Sequence, residues 1–277
     1  MSNKILSVCI AMLLSSSTVD LKAQAKHTVA VTDHRPLWAA LDQVEAFFKT
    51  PINYEDVPYE HDSDLGPVLD PRVKQTIGGR RSRLPRKGTV NVTCDQVKSQ
   101  TDKRVCLEQL LSSYRLSGLP GEFTIEEQGE SFAVLATNTR TADGAKRSVI
   151  SPLRREVTVT YQKRSVIDTV AALASEITKA TGIQVLVGQV PFATESLSFG
   201  AQGESARGAM ARIFKEAAPN RAVSYRLLYD PLFGGYMLNF NVVSTLDPVS
   251  ALPATATTPK GTDVGKWLDP ATVTKQQ

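Results

Sequence analysis

The chain carries few of the residues on which catalysis usually depends. Its 277 residues include three histidines (His27, His34, His61), three cysteines and no C-x-x-C pair. There is no G-x-x-x-x-G-K loop to cradle a triphosphate, no G-x-G-x-x-G turn for a dinucleotide and no S-x-x-K. Past residue 25, no apolar run is long enough to cross a bilayer. The net charge of +4 is modest, so nothing in the balance calls for nucleic acid or an anionic membrane as a partner. These absences remove nucleotide-dependent and dithiol chemistry as first readings. What remains is a chain with 42% hydrophobic residues and length enough for two ordinary domains.

The first 25 residues read as a signal peptide. Lys4 is followed by the apolar run Ile5 to Leu14, and Ala23-Gln-Ala25 is a small-x-small cleavage pattern. Export to the periplasm is therefore expected, with secretion as the alternative. Cys9 would leave with the signal, so the exported chain keeps Cys94 and Cys106. An even pair in an oxidising compartment predicts a disulfide; the other reading is two buried thiols that never meet. The bond would staple a strand-to-helix loop, worth roughly 3 kcal/mol by chain entropy.

What the chain does contain is one unit written twice. Each copy opens on alternating valines (Val29 and Val31; Val157 and Val159) and continues into an amphipathic helix. In helix 37–49, Leu37, Leu41, Val44 and Phe48 share one face; in helix 165–180, Val166, Val170, Leu173 and Ile177 repeat that spacing. Pro36 suits a first helical turn, Thr50-Pro51 a stop, and Gly182 a helix cap. Strands are expected at 52–54, 89–93, 122–126 and 131–137, with a helix at 103–114 capped by Asp102. In the second copy they fall at 156–161, 183–187, 196–200, 223–229 and 235–243, with a helix at 204–217. The expected fold is α+β: two tandem modules, each two helices packed on short sheets in the order β-α-β-β-α-β-β. Their bounds are 26–138 and 153–245, joined by a polar linker at 139–152 and followed by an Ala/Thr/Pro-rich tail at 246–277 that reads as disordered. The first module carries an aperiodic insertion at 55–87, acidic at its start and basic at its end.

Asp33-His-Arg-Pro-Leu-Trp-Ala-Ala-Leu-Asp-Gln-Val, Ile52-Asn-Tyr-Glu, Val90-Asn-Val and Cys106-Leu-Glu-Gln-Leu-Leu resemble the secretin and TonB short N-terminal domain. Val166-Ile-Asp-Thr-Val-Ala-Ala-Leu-Ala, Gly182-Ile-Gln-Val and Ala206-Arg-Gly-Ala-Met-Ala-Arg-Ile-Phe resemble it a second time. The likeness implies a small α/β fold, a periplasmic setting and a role in protein contact, and it carries no catalytic residues. No secretin pore or receptor barrel follows the second copy.

The motifs that could carry chemistry are weak. Gly203-Glu-Ser-Ala-Arg-Gly208 places its second glycine one residue too late for a nucleophile elbow, and Ser205 reads better as a helix cap. Asp62-Ser-Asp64-Leu-Gly66 opens like a calcium loop, but its glycine is early and Val73 stands where the glutamate belongs. His61 has no nearby second metal ligand. No catalytic residues, metal or cofactor are therefore assigned. The expected function is a non-enzymatic adaptor for another cell-envelope protein, such as a secretin, an outer-membrane receptor or another envelope assembly. Contact is expected through Arg80, Arg81, Arg83, Arg86 and Lys87. The alternative is a small-ligand-binding protein or hydrolase, with His34 or His61 in a pocket under the 55–87 insertion. Alkylation of the unreduced protein followed by mass spectrometry should find neither Cys94 nor Cys106 modified; two alkylated cysteines would contradict the bond.

Overall fold

Period-2 alternation sets the first strand. In β1 (Lys26–Asp33), Val29 and Val31 are buried while Ala30 and Thr32 are exposed. α1 (Pro36–Phe48) starts on its proline and buries Leu37, Leu41, Val44 and Phe48. Lys49 then turns left-handed (φ 51°) ahead of Thr50-Pro51. β2 (Ile52–Glu55) follows, buried at every residue. The structure, a computed structural model, describes residues 26–68, 76–77, 80–81, 83–95 and 99–243. Residues 1–25, read above as a signal peptide, and the tail beyond Val243 lie outside these residues.

The insertion at 55–87 is not a plain loop. After a 3-10 turn (Asp62–Asp64), β3 (Leu65–Pro67) pairs antiparallel with β6 (Arg83–Pro85). Between them, β4 (Thr76–Ile77) pairs with β5 (Arg80–Arg81). Strands this short, bounded by proline and glycine, leave no period to read. β7 (Gly88–Asp95) returns beside β1 along its whole length.

α2 (Gln100–Leu116) begins before its expected start. Ser99, not Asp102, is the cap. Its hydroxyl accepts from the Asp102 amide (3.2 Å), while the Asp102 carboxylate accepts from the Ser99 amide (3.0 Å), a reciprocal capping box. Cys106 thus sits in the second turn of α2, where it is disulfide-bonded to Cys94 of β7. β8 (Glu122–Gln128) and β9 (Ser131–Arg140) then form a hairpin whose turn uses Gly129 at φ 64°.

The second half repeats this order. β10 (Lys146–Ser148) and a 3-10 turn (Pro152–Arg154) lead to β11 (Glu156–Ser165), α3 (Val166–Thr181) and β12 (Val185–Val187). β13 (Ser196–Ser205), α4 (Ala206–Ala217), β14 (Val223–Asp230) and β15 (Gly235–Val242) complete it. Gly182 caps α3 at φ 70°, and Ser205 caps α4 by accepting from the Gly208 amide (3.1 Å). The segment 139–152 is tied at both ends. Lys146–Ser148 pairs back onto β9, the Val149 amide donates to Thr137 O (2.8 Å), and Leu153 is buried in the second core.

Each half has the same topology and its own hydrophobic core. β1 pairs with β7 and β11 with β13. Opposite them stand the three-stranded sets β8-β9-β2 and β14-β15-β12, in each of which the last strand is parallel to the middle one. Phe132 is registered with Glu127 of β8 and Ile52 of β2, so those strands flank β9 on opposite sides. The halves then join head to tail. β2 pairs in parallel with β14, at Arg226↔Tyr54 and Leu227↔Glu55, which makes one sheet continuous across both halves.

This seam is held by buried charge. Arg226 is 1% exposed. Its Nε and Nη2 donate to Asp42 Oδ1 (3.0 and 2.6 Å), its Nη1 to the carbonyls of Ile52 and Tyr225, and its Nη2 lies 3.2 Å from Glu45 Oε1. Glu45 accepts from the Ile52 amide (2.7 Å) and the Ser224 hydroxyl (2.9 Å). Burial pushes the Glu45 carboxyl above its usual range while Arg226 pulls it back. Removing the cation leaves the acids uncompensated. Arg226→Met should therefore cost about 3–5 kcal/mol in chemical denaturation. Adding Glu45→Gln should recover part of the loss; no recovery would mean that Glu45 is not the group left stranded.

Candidate functional site

The seam extends past Arg226 into a second polar cluster. Asp56, at the end of β2, is buried. Its Oδ1 accepts from the Tyr54 hydroxyl (2.8 Å), the Tyr59 hydroxyl (2.8 Å) and the Val57 amide (3.0 Å), and its Oδ2 from Arg35 Nε (3.1 Å). Arg35 also donates to the carbonyl of Tyr229 in the second half (2.5 Å). Next to it, Glu55 Oε1 accepts from Arg207 Nε (3.0 Å) and Nη2 (2.7 Å) and from the Tyr225 hydroxyl (2.7 Å). Glu55 Oε2 is buried without a hydrogen bond.

Burial raises the Asp56 carboxyl above its usual range, against the pull of Arg35 and the two phenols. Burial likewise pushes the Tyr54, Tyr59 and Tyr225 phenols well above their ordinary value, and the adjacent carboxylates add to it. Each bonded oxygen in this cluster is held by a donor of the fold itself. The arrangement ties β2 to β14 and α4, and leaves Asp56 no free lone pair facing solvent.

A cleft of about 310 Å³ opens where the halves meet. One wall is a single face of α4, on which Arg207, Met210, Ala211, Phe214 and Lys215 fall at helical spacing. The other wall is Asn53, Gln128 and Ser131 of the first half, and Phe240 and Tyr225 also line it. Three cations (Arg207, Lys215, Arg221) and no carboxylate line it, though Arg207 is engaged by Glu55. A shallower groove lies between α2 and β7, lined by the exposed Val105 and Leu116. Neither hollow involves His34, His61 or any residue of 56–87.

The structure places the sequence-derived candidates apart from this cleft. Arg83 bonds Asp62, and Arg86 and Lys87 are exposed. The side chains of Arg80 and Arg81 lie outside the described residues. The base of their ribbon is clamped to the first core. Buried Asp64 pairs with Arg140, its carbonyl accepts from the Arg86 amide (2.7 Å), and His34 Nδ1 lies 2.6 Å from Pro85 O. Both carboxylates of the calcium-like run are thus paired with arginines, while His61 Nδ1 bonds Ser63 Oγ (2.8 Å). Among the described residues no His/Cys/Asp/Glu group is arranged to hold a metal ion, and no helix is long and apolar enough to cross a membrane.

The residues that sequence reading missed are Arg35, Asp42, Glu45, Glu55, Asp56, Arg207 and Arg226. Arg226 and Asp42 are 184 residues apart, so no local spacing links them. The available signal was charge in the wrong place: an arginine inside Val-Ser-Tyr-Arg-Leu-Leu-Tyr, and two acids ending the buried strand Ile-Asn-Tyr. In comparison with known proteins, no family model, no curated protein and no solved structure matches the chain.

Phenols raised in the folded state contribute stability that is intact below their unfolded value, about 10, and is lost as pH rises through the folded one. Burial raises Tyr54, Tyr59, Tyr114, Tyr225, Tyr229 and Tyr236 in this way. In an alkaline titration, most phenolate absorbance should appear in one cooperative step, together with loss of the circular dichroism signal. A smooth titration of these six near pH 10 with the fold intact would contradict the buried network.

Proposed function

We propose that the protein is an exported, non-enzymatic adaptor that binds another cell-envelope protein. Two secretin/TonB-like modules serve as its rigid body and the basic ribbon as its contact arm. The observation that supports this most is the ribbon's anchorage. β3–β6 and β4–β5 pair only with each other among the described residues, yet Asp64, Arg140 and His34 fix their base to the core. An arm held at its base loses less conformational freedom on binding, so more of its contact energy is available for affinity. The basic residues suit an acidic partner surface, where complementary charge speeds encounter. The short N-terminal domain likeness supports a periplasmic setting and a partner drawn from envelope assemblies.

The test is capture from a solubilised envelope fraction after mild cross-linking, run in parallel with the wild-type protein and a variant in which Arg80, Arg81, Arg83, Arg86 and Lys87 are all glutamate. The wild type should retain one envelope protein in stoichiometric yield, with affinity that falls as salt rises. The variant should lose most of that binding and its salt dependence. Equal capture by both would remove the ribbon from the contact, and no capture by either would remove the adaptor reading.

A further inference from the structure

The head-to-tail join inside the chain leaves two matching edges unused. In the seam, β2 offers the outer side of a strand whose other side pairs with β9, and β14 fills it. β12 stands in the same relation to β15 as β2 does to β9, and β8 in the same relation to β9 as β14 does to β15. Among the described residues, the sheet therefore ends with a vacant β2-type edge at β12 and a vacant β14-type edge at β8. Gln184 O accepts from the Tyr236 amide (2.8 Å) and the Gly188 amide donates to Leu238 O (2.9 Å). Residues of that parity face β15, so Val185 and Val187 turn their backbone groups outward, as Ile52 and Tyr54 do toward β14. Ile183 and Leu186 are each 37% exposed along this edge.

The side chains around the two vacant edges also match. The Ile52 amide donates to Glu45, and the Val185 amide donates to Thr178 Oγ1 (3.0 Å), each seven residues upstream. Thr178 therefore stands where Glu45 does, Ser175 where Asp42 does, and Gly188 where Glu55 does. On the complementary side, Ile125 and Leu227 hold the same register, which puts Thr124 in the place of Arg226 and Phe123 in the place of Tyr225. Every acid of the first seam has a neutral counterpart at β12, while at β8 the counterpart of Arg226 is the uncharged Thr124 and that of Tyr225 is Phe123, which lacks the phenolic hydroxyl. The acids of β8 do not oppose the fit, since Glu122 bonds Lys146, Glu127 bonds Arg104 and Glu126 lies 3.6 Å from Arg207.

We propose that the β12 edge takes the β8 edge of a second copy of this chain, in parallel, and so continues the sheet from one molecule into the next. Such a contact is heterologous, so it propagates head to tail and ends only in a ring or a filament. It is independent of the basic ribbon and would hold even if the adaptor reading failed.

Sedimentation of the purified protein over a concentration series tests this. The average mass should climb from the monomer to about two-fold and beyond. Val187→Pro removes an outward donor from β12 without touching its bonds to β15, and Thr124→Arg brings an unmatched cation to the β8 edge from an exposed site. Each variant alone should stay monomeric, while an equimolar mixture should form a one-to-one pair, because each retains the edge that the other has lost. If circular dichroism shows Val187→Pro to be unfolded, Thr124→Arg alone decides, by the loss of association. A wild type that stays monomeric throughout, variants that associate as the wild type does, or folded variants that fail to pair when mixed would each overturn the proposal.

Discussion

The structure depends on one pairing, the parallel contact of β2 with β14. Without it there are two small helix–sheet units, each with its own core. With it there is one sheet whose middle is lined by Arg226, Asp42, Glu45, Glu55, Arg207, Arg35 and Asp56. Buried ion pairs add little net stability, because desolvation offsets much of the attraction. Their larger effect is on register. A slip along β14 would carry Arg226 away from Asp42 and the Ile52 carbonyl, and would leave a fully buried guanidinium unsatisfied.

Much of the fold was legible because helices and half-buried strands advertise their period. The 4-3-4 spacing in α1 and α3 and the valine alternation in β1 and β11 placed both copies of the unit, and their cysteines and glycines placed the staple and the turns. Boundaries were less legible. Ser99 extends α2 toward the N-terminus because its capping box with Asp102 lies outside the apolar pattern. The ribbon between Leu65 and Pro85 was illegible because strands of two or three residues carry no period at all. The seam was hidden for a different reason: its partners lie far apart in the chain, and a single arginine in a strand looks like an exposed one until its neighbours are known.

The repetition also shows how one unit can be used in two ways. The first half presents a charged edge at β2 and the second half answers it with Arg226, while the same positions at β12 and β8 are hydroxyl, glycine or phenylalanine. Charge pairs with charge inside the chain, and the corresponding positions at its two end strands are neutral. A β8 strand placed on β2 would bring neither the Arg226 guanidinium to Glu45 nor the Tyr225 hydroxyl to Glu55, so the charges of the seam discriminate against that pairing. The basic ribbon belongs to neither seam. It is an addition to the first half alone, anchored through Asp64 and His34.

The β2–β14 pairing makes the two halves fold as one body. Native-state hydrogen exchange at the Asp56 amide, which donates to Leu227 O (2.8 Å), and at the Tyr225 amide, which donates to Asn53 Oδ1 (3.0 Å), tests it directly. Both should exchange only through global unfolding, as slowly as the core amides of either half. Fast exchange at these two positions, with the cores of both halves still protected, would show a hinge between β2 and β14 and not a continuous sheet.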